Sequence, residues 1–305
     1  MTVLVFGSLN MDLVIRTPRL PLPGETIIGH EFFTAGGGKG ANQAVAAARL
    51  AAPTKMIGRV GGDSFGVSLR QQLAESNVDV DSVFVDKSVA TGVAIIAVDD
   101  AAQNNIIIAS GANHQVDQTD LERLSHLMPQ AKLLLLQLEI PLDMIMAAAK
   151  LARQHNVTVI LDPAPAQTLP AELYPFIDII TPNEIEAGQL CGSVIKTKED
   201  AFEAAQQLCE RGVRQAIIKM GAAGMVYATP ETSDFIPAFQ VTAVDTVAAG
   251  DSFNGGLATA LFEGLSLPEA IRWGAAAGAL SATKSGAQPS MAYRHEFNAF
   301  LKAHA

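Results

Sequence analysis

Hydrophobic residues in this chain form short runs that are apolar on both faces, and helical patterns separate these runs. The clearest runs cover residues 3–6, 132–138, 157–161, 177–180 and 216–219, and helical patterns cover 41–50, 142–155 and 201–211. Strands with two apolar faces are typical of parallel sheets that helices cover on both sides. The alternation therefore predicts a three-layer α/β fold with a central, mostly parallel sheet flanked by helices.

Two further pairs of apolar segments do not follow this alternation. Segments 12–16 and 26–33 flank a Pro- and Gly-containing turn at 21–24, and segments 92–98 and 105–108 flank a polar turn at 99–104. No helical pattern lies within either pair, so a small separate sheet is expected, drawn from about 12–34 and 91–109. A sheet this small is only marginally stable alone, so we expect it to pack on another surface, either as a lid over the main sheet or as a dimer surface. The whole chain, 1–305, is expected to form a single domain.

Composition and charge exclude several classes of protein. Hydrophobic residues make up 49% and charged residues 17% of 305, which is typical of a folded domain. The net charge of −10 disfavours nucleic acid as a partner. The two cysteines have no metal-ligand spacing, and the apolar runs are too short to cross a membrane. The uncharged start of the sequence leads us to expect no signal peptide. We expect a cytoplasmic protein without a membrane span.

A turn of small residues stands directly before an acid near the C-terminal third of the chain. Ala248, Ala249 and Gly250 precede Asp251, and the apolar pattern at 257–262 indicates a helix. Successive amide groups at such a helix start form an anion site. A carboxylate beside that site suits a base that acts on a hydroxyl next to a phosphoryl group. The alternative is an ordinary helix cap.

A glycine-rich segment precedes the helical pattern at 41–50. Three glycines end at Gly38, and Lys39 and Asn42 follow. The Walker A pattern fails because a glycine follows Lys39, and the dinucleotide-binding glycine pattern fails as well. The segment is instead interpreted as a loop that approaches a small polar ligand closely, with a surface turn as the alternative.

Polar residues follow predicted strands at the edge where parallel sheets bind ligands. Asn10 and Asp12 follow the first strand, and Glu139 follows the run at 132–138. Carboxylate and amide groups at this edge suit a polyol, although a turn or a cap would also use such residues.

Three other segments carry weaker signals. Asn183 and Glu186 suit magnesium that is held mostly through water and phosphate, but their spacing is also that of a capping box. The glycine turn 219–224 could lie under a nucleotide. The segment 283–290 is rich in oxygen ligands for a cation, with a plain loop as the alternative.

Several of these segments together resemble the ribokinase, or PfkB-type, family of carbohydrate kinases. Segment 36–44 is similar to the family's N-terminal signature, and segment 245–253 is similar to its C-terminal one. Segments 7–12, 162–166, 179–184 and 286–290 also match. The resemblance implies a ribokinase-like, Rossmann-type fold with a β-sheet lid. It implies ATP-dependent phosphorylation of D-ribose at O5, with Mg²⁺ and an activating K⁺, in a homodimer formed through the lid.

The resemblance also implies residue roles. Asp251 would be the general base, and the amides of Ala248, Ala249 and Gly250 would form the anion hole. The sugar would contact Asn10, Asp12, Gly38, Lys39, Asn42, Glu139 and Asp251. ATP would contact Asn183, Lys219, Met220, Gly221, Ala222, Ala223, Gly224, Gly250 and Ala275. Glu186 would hold magnesium through water, and potassium would lie among Asp245, Val247, Ser281, Lys284, Gly286 and Ser290.

Two departures from the family pattern, Asp162 and Ala275, lie at positions expected not to touch the reacting atoms. Alternatives to the ribose assignment are a kinase of deoxyribose, fructose or a nucleoside, and a catalytically inactive sugar-binding homologue. The aromatic fraction of 6% gives no sign of a slot for a nucleoside base.

Overall fold

The computed structural model describes residues 1–101 and 103–304. Its strands are β1 (Thr2–Phe6), β2 (Asn10–Thr17), β3 (Glu31–Gly37), β4 (Thr54–Gly61), β5 (Val78–Asp79), β6 (Val83–Asp86), β7 (Gly92–Asp99), β8 (Asn104–Ala109), β9 (Ala131–Leu136), β10 (Thr158–Leu161), β11 (Ile179–Ile180), β12 (Gln215–Lys219), β13 (Met225–Ala228) and β14 (Ser233–Ile236). Its α-helices are α1 (Lys39–Arg49), α2 (Ser64–Glu75), α3 (Gln118–Leu127), α4 (Leu142–Gln154), α5 (Glu184–Cys191), α6 (Lys198–Glu210), α7 (Ala249–Glu263), α8 (Leu267–Ala282) and α9 (Arg294–Ala303).

The large sheet is mostly parallel, as the sequence pattern predicts. Its strand order is β14-β13-β12-β11-β10-β9-β1-β4-β5, with β6 beside β4. Only β13 and β14, at one edge, pair in an antiparallel way. The predicted strands and helices are found with bounds that differ by a few residues.

Helices cover both faces of this sheet. Side chains of β1 alternate between two cores: Val3 and Val5 face α1, α2, α7 and α8, whereas Leu4 and Phe6 face α3, α4, α5 and α6. This alternation explains the apolar runs, since each strand residue is buried on one face or the other. The three-layer α/β prediction is confirmed.

The small sheet contains the four predicted strands in the order β3-β2-β7-β8. The prediction of a strand over residues 26–33 is wrong for 26–30, because β3 begins at Glu31. Arg16 pairs with Glu31, and β2 ends at Thr17. Residues 26–30 therefore have almost no strand opposite them.

The carboxyl ends of the parallel strands meet at one edge of the large sheet. There β1 leads to the start of β2, β9 leads to Gln137 and Glu139, β10 leads to Asp162, and β12 ends at Lys219. Among the residues that the structure describes, no helix has both the length and the hydropathy needed to cross a bilayer.

Candidate active site

Asp251 lies in the first turn of α7, which the preceding residues start in an unusual way. The cap residue Ala248 is in the left-handed region (φ 58°, ψ 13°). The amide of Ala249 donates to the carbonyl oxygen of Thr246 at 3.2 Å. The amides of Gly250 and Asp251 have no hydrogen-bond partner among residues 1–101 and 103–304. Free amides at a helix start, with the helix dipole behind them, favour an anion.

Asp251 is 5% exposed, and its carboxylate accepts hydrogen bonds from two side-chain amides of α1. Asn42 Nδ2 lies 3.0 Å from Oδ2, and Gln43 Nε2 lies 3.1 Å from Oδ1. Burial raises the pKa of Asp251 to about 6, with Lys39 opposing and Asp162 adding to the increase. A carboxylate with this pKa is ionised at neutral pH and basic enough to take a proton in a transition state.

Gln43 joins Asp251 to a second carboxylate that the sequence had marked only as a departure. Its Nε2 also donates to Asp162 Oδ2 at 3.0 Å, and its Oε1 accepts from Gln137 Nε2 at 2.7 Å. Lys219 Nζ lies 3.3 Å from Asp162 Oδ1. Sequence reasoning missed Gln43 and Gln137. A signal for Gln43 existed, because it interrupts an alanine-rich buried helix with a polar side chain.

Asn10 and Asp12 lie on one face of β2, since alternate strand residues point the same way. The Asp12 carboxylate packs on Gly37, where a Cβ would lie 2.3 Å from Oδ2. Burial raises the pKa of Asp12 to about 7, with further increases from Glu139 and Asp251. The carboxylate of Asp12 is therefore close enough to those of Glu139 and Asp251 to be affected by their charge.

Glu139 and Lys39 lie at the same place. Glu139 Oε2 accepts from Ser8 Oγ at 2.5 Å and from the Lys39 amide at 3.1 Å. Lys39 begins α1, and its cap Gly38 has φ 87°. Burial would lower the pKa of Lys39, but the carboxylates around it, led by Asp251 and Asp162, outweigh burial and raise it. Lys39 is therefore a permanent cation among these acids.

Asn183 and Glu186 form the capping box that the sequence left open as an alternative. Asn183 Oδ1 accepts from the Glu186 amide at 2.9 Å, and Glu186 Oε2 accepts from the Asn183 amide at 2.8 Å. Burial raises the pKa of Glu186, Asp162 raises it further, and Lys219 opposes both. Glu186 therefore belongs electrostatically to the same charged cluster as Asp162.

The glycine turn after β12 passes close to the start of α7. Lys219 is the last residue of β12, and the Met220 amide donates to the Gly224 carbonyl at 2.9 Å across a 3₁₀ turn of Gly221, Ala222 and Ala223. The Lys219 ammonium lies 3.5 Å from the position that a Cβ on Gly250 would take. A cation therefore stands beside the free amides of α7. Ala275 lies in α8 and is 6% exposed.

The predicted cation loops lie next to each other before and after α7 and α8. Asp245 accepts from the Val247 amide and from the Gly286 amide, both at 2.9 Å. Ser281 Oγ and Ser290 Oγ lie 2.6 Å apart, whereas the Lys284 ammonium turns to Glu296 at 2.7 Å. Asp245 therefore ties the loop that leads into α7 to the segment that follows α8.

Known proteins resemble this chain over its whole length. A ribokinase of Haemophilus influenzae is 43% identical over 99% of this chain and 98% of its own length. The solved ribokinase structure from Thermotoga maritima has a TM-score of 0.90 at 36% identity, with 99% of each chain covered. The solved structure of Arabidopsis thaliana ribokinase complexed with ribose and ATP has a TM-score of 0.91 at 35% identity, covering 99% of this chain and 98% of that one.

The chain also matches a known protein family as a whole. Residues 2–293 match the pfkB family of carbohydrate kinases. That range contains both signature segments and the residues around Asp251. This chain belongs to the pfkB carbohydrate kinase family.

Proposed function

We propose that this chain transfers the γ-phosphoryl group of ATP to O5 of D-ribose. One observation carries the proposal: the buried Asp251 carboxylate lies at a helix start whose amides at Gly250 and Asp251 have no partner among the described residues. Phosphoryl transfer needs a positioned hydroxyl and charge stabilisation more than covalent chemistry. Ribokinases that match over nearly the whole chain support the choice of ribose and ATP.

The sugar binds between the small sheet and α1 in this proposal. Its hydroxyls contact Asn10, Asp12, Gly38, Lys39, Asn42 and Glu139. Asp251 takes the O5 proton as O5 forms a bond to the γ-phosphorus and the bond between that phosphorus and the β–γ bridging oxygen breaks. The amides of Ala248, Gly250 and Asp251 and the Lys219 ammonium stabilise the charge on the transferred group. Ala249 contributes less, because its amide already donates to Thr246.

The nucleotide lies over the turn from Lys219 to Gly224 and the start of α5. Enzymes that transfer this phosphoryl group use a divalent cation, which neutralises the phosphates, and we assign magnesium. No group of three or more His, Cys, Asp or Glu residues within the described part of the chain forms a closed metal site. In this proposal water and phosphate hold the cation, and Glu186, whose Oε2 already accepts from the Asn183 amide, acts as an outer ligand.

Potassium is proposed at the loops tied by Asp245. The contributors are Asp245, Val247, Ser281, Lys284, Gly286 and Ser290, mostly through oxygen atoms of the backbone. Lys284 can contribute only its carbonyl oxygen, because an ammonium group has no lone pair for a cation, and this one turns to Glu296. A cation there supports the start of α7 and so the anion hole.

The small sheet is proposed as a lid and as a dimer surface. Apolar side chains on it are exposed, including Phe32 at 62%, Ile95 at 46% and Ile107 at 68%. Exposed apolar surface of this kind is typical of an interaction site. The two free cysteines, Cys191 and Cys209, agree with a cytoplasmic location.

The test is a coupled ADP-release assay over pentoses, hexoses and nucleosides, with and without potassium. Ribose is expected to give the highest kcat/KM, and Asp251→Asn should lower kcat by about 10²–10⁴ because the general base is lost. Glu263→Gln, at the far end of α7, is the matched control and should retain activity. ADP release with another sugar but not with ribose would overturn the assignment of ribose as the substrate. Near-normal turnover in folded Asp251→Asn would overturn the base.

A further inference from the structure

The chain passes between the large and the small sheet several times, and one buried amide lies where three of these passages meet. Asn113 is 1% exposed and follows β8. It contacts Leu9 and Asn10, where the chain enters β2, and Gly92, where the chain enters β7. A Cβ on Gly92 would lie 2.3 Å from both Asn113 Nδ2 and Asn10 Oδ1.

Backbone groups determine the orientation of the Asn113 amide. Its Oδ1 accepts from the Leu9 amide at 2.9 Å, and its Nδ2 donates to the Leu9 carbonyl at 3.0 Å. A backbone N–H can only donate and a carbonyl can only accept, so the reversed amide would lose both bonds. Nδ2 of Asn113 must therefore point at the next group, which is Asn10.

The orientation of Asn113 in turn determines that of Asn10. Asn113 Nδ2 lies 2.7 Å from Asn10 Oδ1, and this oxygen accepts the bond. The Asn10 Nδ2 group has no partner in the described ranges 1–101 and 103–304. Asn10 and Asp12 share a face of β2, and the Asp12 carboxylate packs on Gly37, the residue that pairs with Asn10 across the sheet. The free NH₂ of Asn10 therefore belongs to the space that the acids surround.

We propose that Asn113 is a positioning residue for sugar binding, because it holds Asn10 with its NH₂ group toward the sugar. Asn10 then donates to a sugar oxygen, while Asp12 accepts from a sugar hydroxyl. The inference rests on the proposed function only in placing a sugar at this edge. Without Asn113, Asn10 is free to turn its oxygen toward the acids, where it would accept from the sugar in place of donating to it.

The first test is Asn113→Asp, which keeps the side-chain shape and the acceptor for the Leu9 amide. A carboxylate repels Asn10 Oδ1 and favours the reversed Asn10 amide. We expect the KM for ribose to rise tenfold or more and the KM for ATP to change less than twofold. Thr91→Val is the matched control: Thr91 is 2% exposed, accepts from the Gly61 amide at 2.9 Å and precedes Gly92. It should change the ribose KM less than twofold.

A double-mutant cycle separates positioning from general damage. In an Asn10→Ala background, Asn113→Asp should change the ribose KM less than twofold. An equal increase in both backgrounds would show that Asn113 acts on the fold and not through Asn10, and would overturn the proposal.

A second variant covers the case in which Asn113→Asp does not fold. Asn10→Asp keeps the oxygen that accepts from Asn113 but replaces the NH₂ group that faces the sugar. The ribose KM should rise tenfold or more in a variant that still unfolds in one cooperative transition, with a somewhat lower Tm because a further carboxylate joins the acids, and an unchanged KM would overturn the donor role. All KM measurements use the sugar that has the highest kcat/KM in the panel. If no sugar is phosphorylated, the calorimetric Kd of ribose replaces its KM. Failure of the ribose assignment is thereby distinguished from failure of the positioning role.

Discussion

Replacement of Asp12 by asparagine should make the folded protein more stable at alkaline pH while it weakens sugar binding. The cause is the placement of the Asp12 carboxylate, which is partly buried and faces Glu139 and Asp251. The pKa of Asp12 is raised from 3.8 to about 7 in the folded chain. The ionised form is therefore less favourable in the folded than in the unfolded state.

The pH range follows from these two values. Below pH 3.8 the carboxyl is protonated in both states and costs nothing. As the pH rises from 3.8 to about 7, the unfolded chain ionises first, so stability falls, and the loss is complete above pH 7. At about 1.36 kcal/mol per pH unit the limit is about 4 kcal/mol. Solvent access to the carboxylate reduces this to about 2 kcal/mol, by the screening that weakens all exposed charges.

Calorimetric unfolding from pH 4 to pH 8, without sugar or ATP, measures the effect. Asp12→Asn should raise Tm by about 4 °C at pH 8 and by about 1 °C or less at pH 4, the scale expected for a large domain. Asp63→Asn is a control of opposite sign. The pKa of Asp63 is lowered, because hydrogen bonds from Thr91 and nearby amides outweigh the increase that burial causes. Removal of this carboxylate should therefore destabilise the folded chain at pH 8. A gain for Asp12→Asn that is independent of pH, or no gain, would refute the reasoning.

Three further outcomes are expected. The kcat/KM of the wild-type chain for ribose should fall at least about tenfold per pH unit below pH 6, because Asp251, whose pKa in the free chain is about 6, must be ionised to act as a base; a flat profile of kcat/KM down to pH 5 would contradict this. Gly37→Ala should raise the ribose KM tenfold or more without affecting the ATP KM, because the new Cβ would lie 2.3 Å from Asp12 Oδ2. Gly62→Ala is its control and should leave both KM values unchanged, because a Cβ there has no contact under 3.4 Å. Replacement of potassium by tetramethylammonium should lower kcat, and Asp245→Ala should abolish the difference between the two salts.

The sequence predicted the fold well because the strands are buried on both faces. Val3 to Phe6 alternate between two cores, and this leaves a continuous apolar run that local pattern reasoning detects. The error at 26–30 has a different origin. Those residues look extended, but β2 ends at Thr17, and a strand without a partner does not form. Pairing depends on residues far apart in the chain, which periodicity does not report.

The candidate site was predictable only in part, for a related reason. Asp251, Asn42 and Lys39 stand in short segments with glycine turns, which mark them in the sequence. Gln43 and Gln137 are 94 residues apart, and each is an unremarkable amide until the fold joins them at 2.7 Å. Asn113 is similar, because its bonds to Leu9 and Asn10 span more than 100 residues. The role of such buried amides depends on hydrogen-bond partners that lie far away in the sequence.

The many acids around Lys39 affect how ligands of different charge bind to this site. Five carboxylates, of Asp12, Glu139, Asp162, Glu186 and Asp251, surround two ammonium groups, of Lys39 and Lys219. A neutral sugar enters such a site without an electrostatic penalty, but a bare triphosphate would be repelled and needs bound cations. Transfer converts the neutral ligand into a phosphate ester with nearly two negative charges. Unlike the sugar, this ester is attracted by the anion hole and Lys219 and repelled by the acids, so its affinity should depend on ionic strength whereas that of the sugar should not.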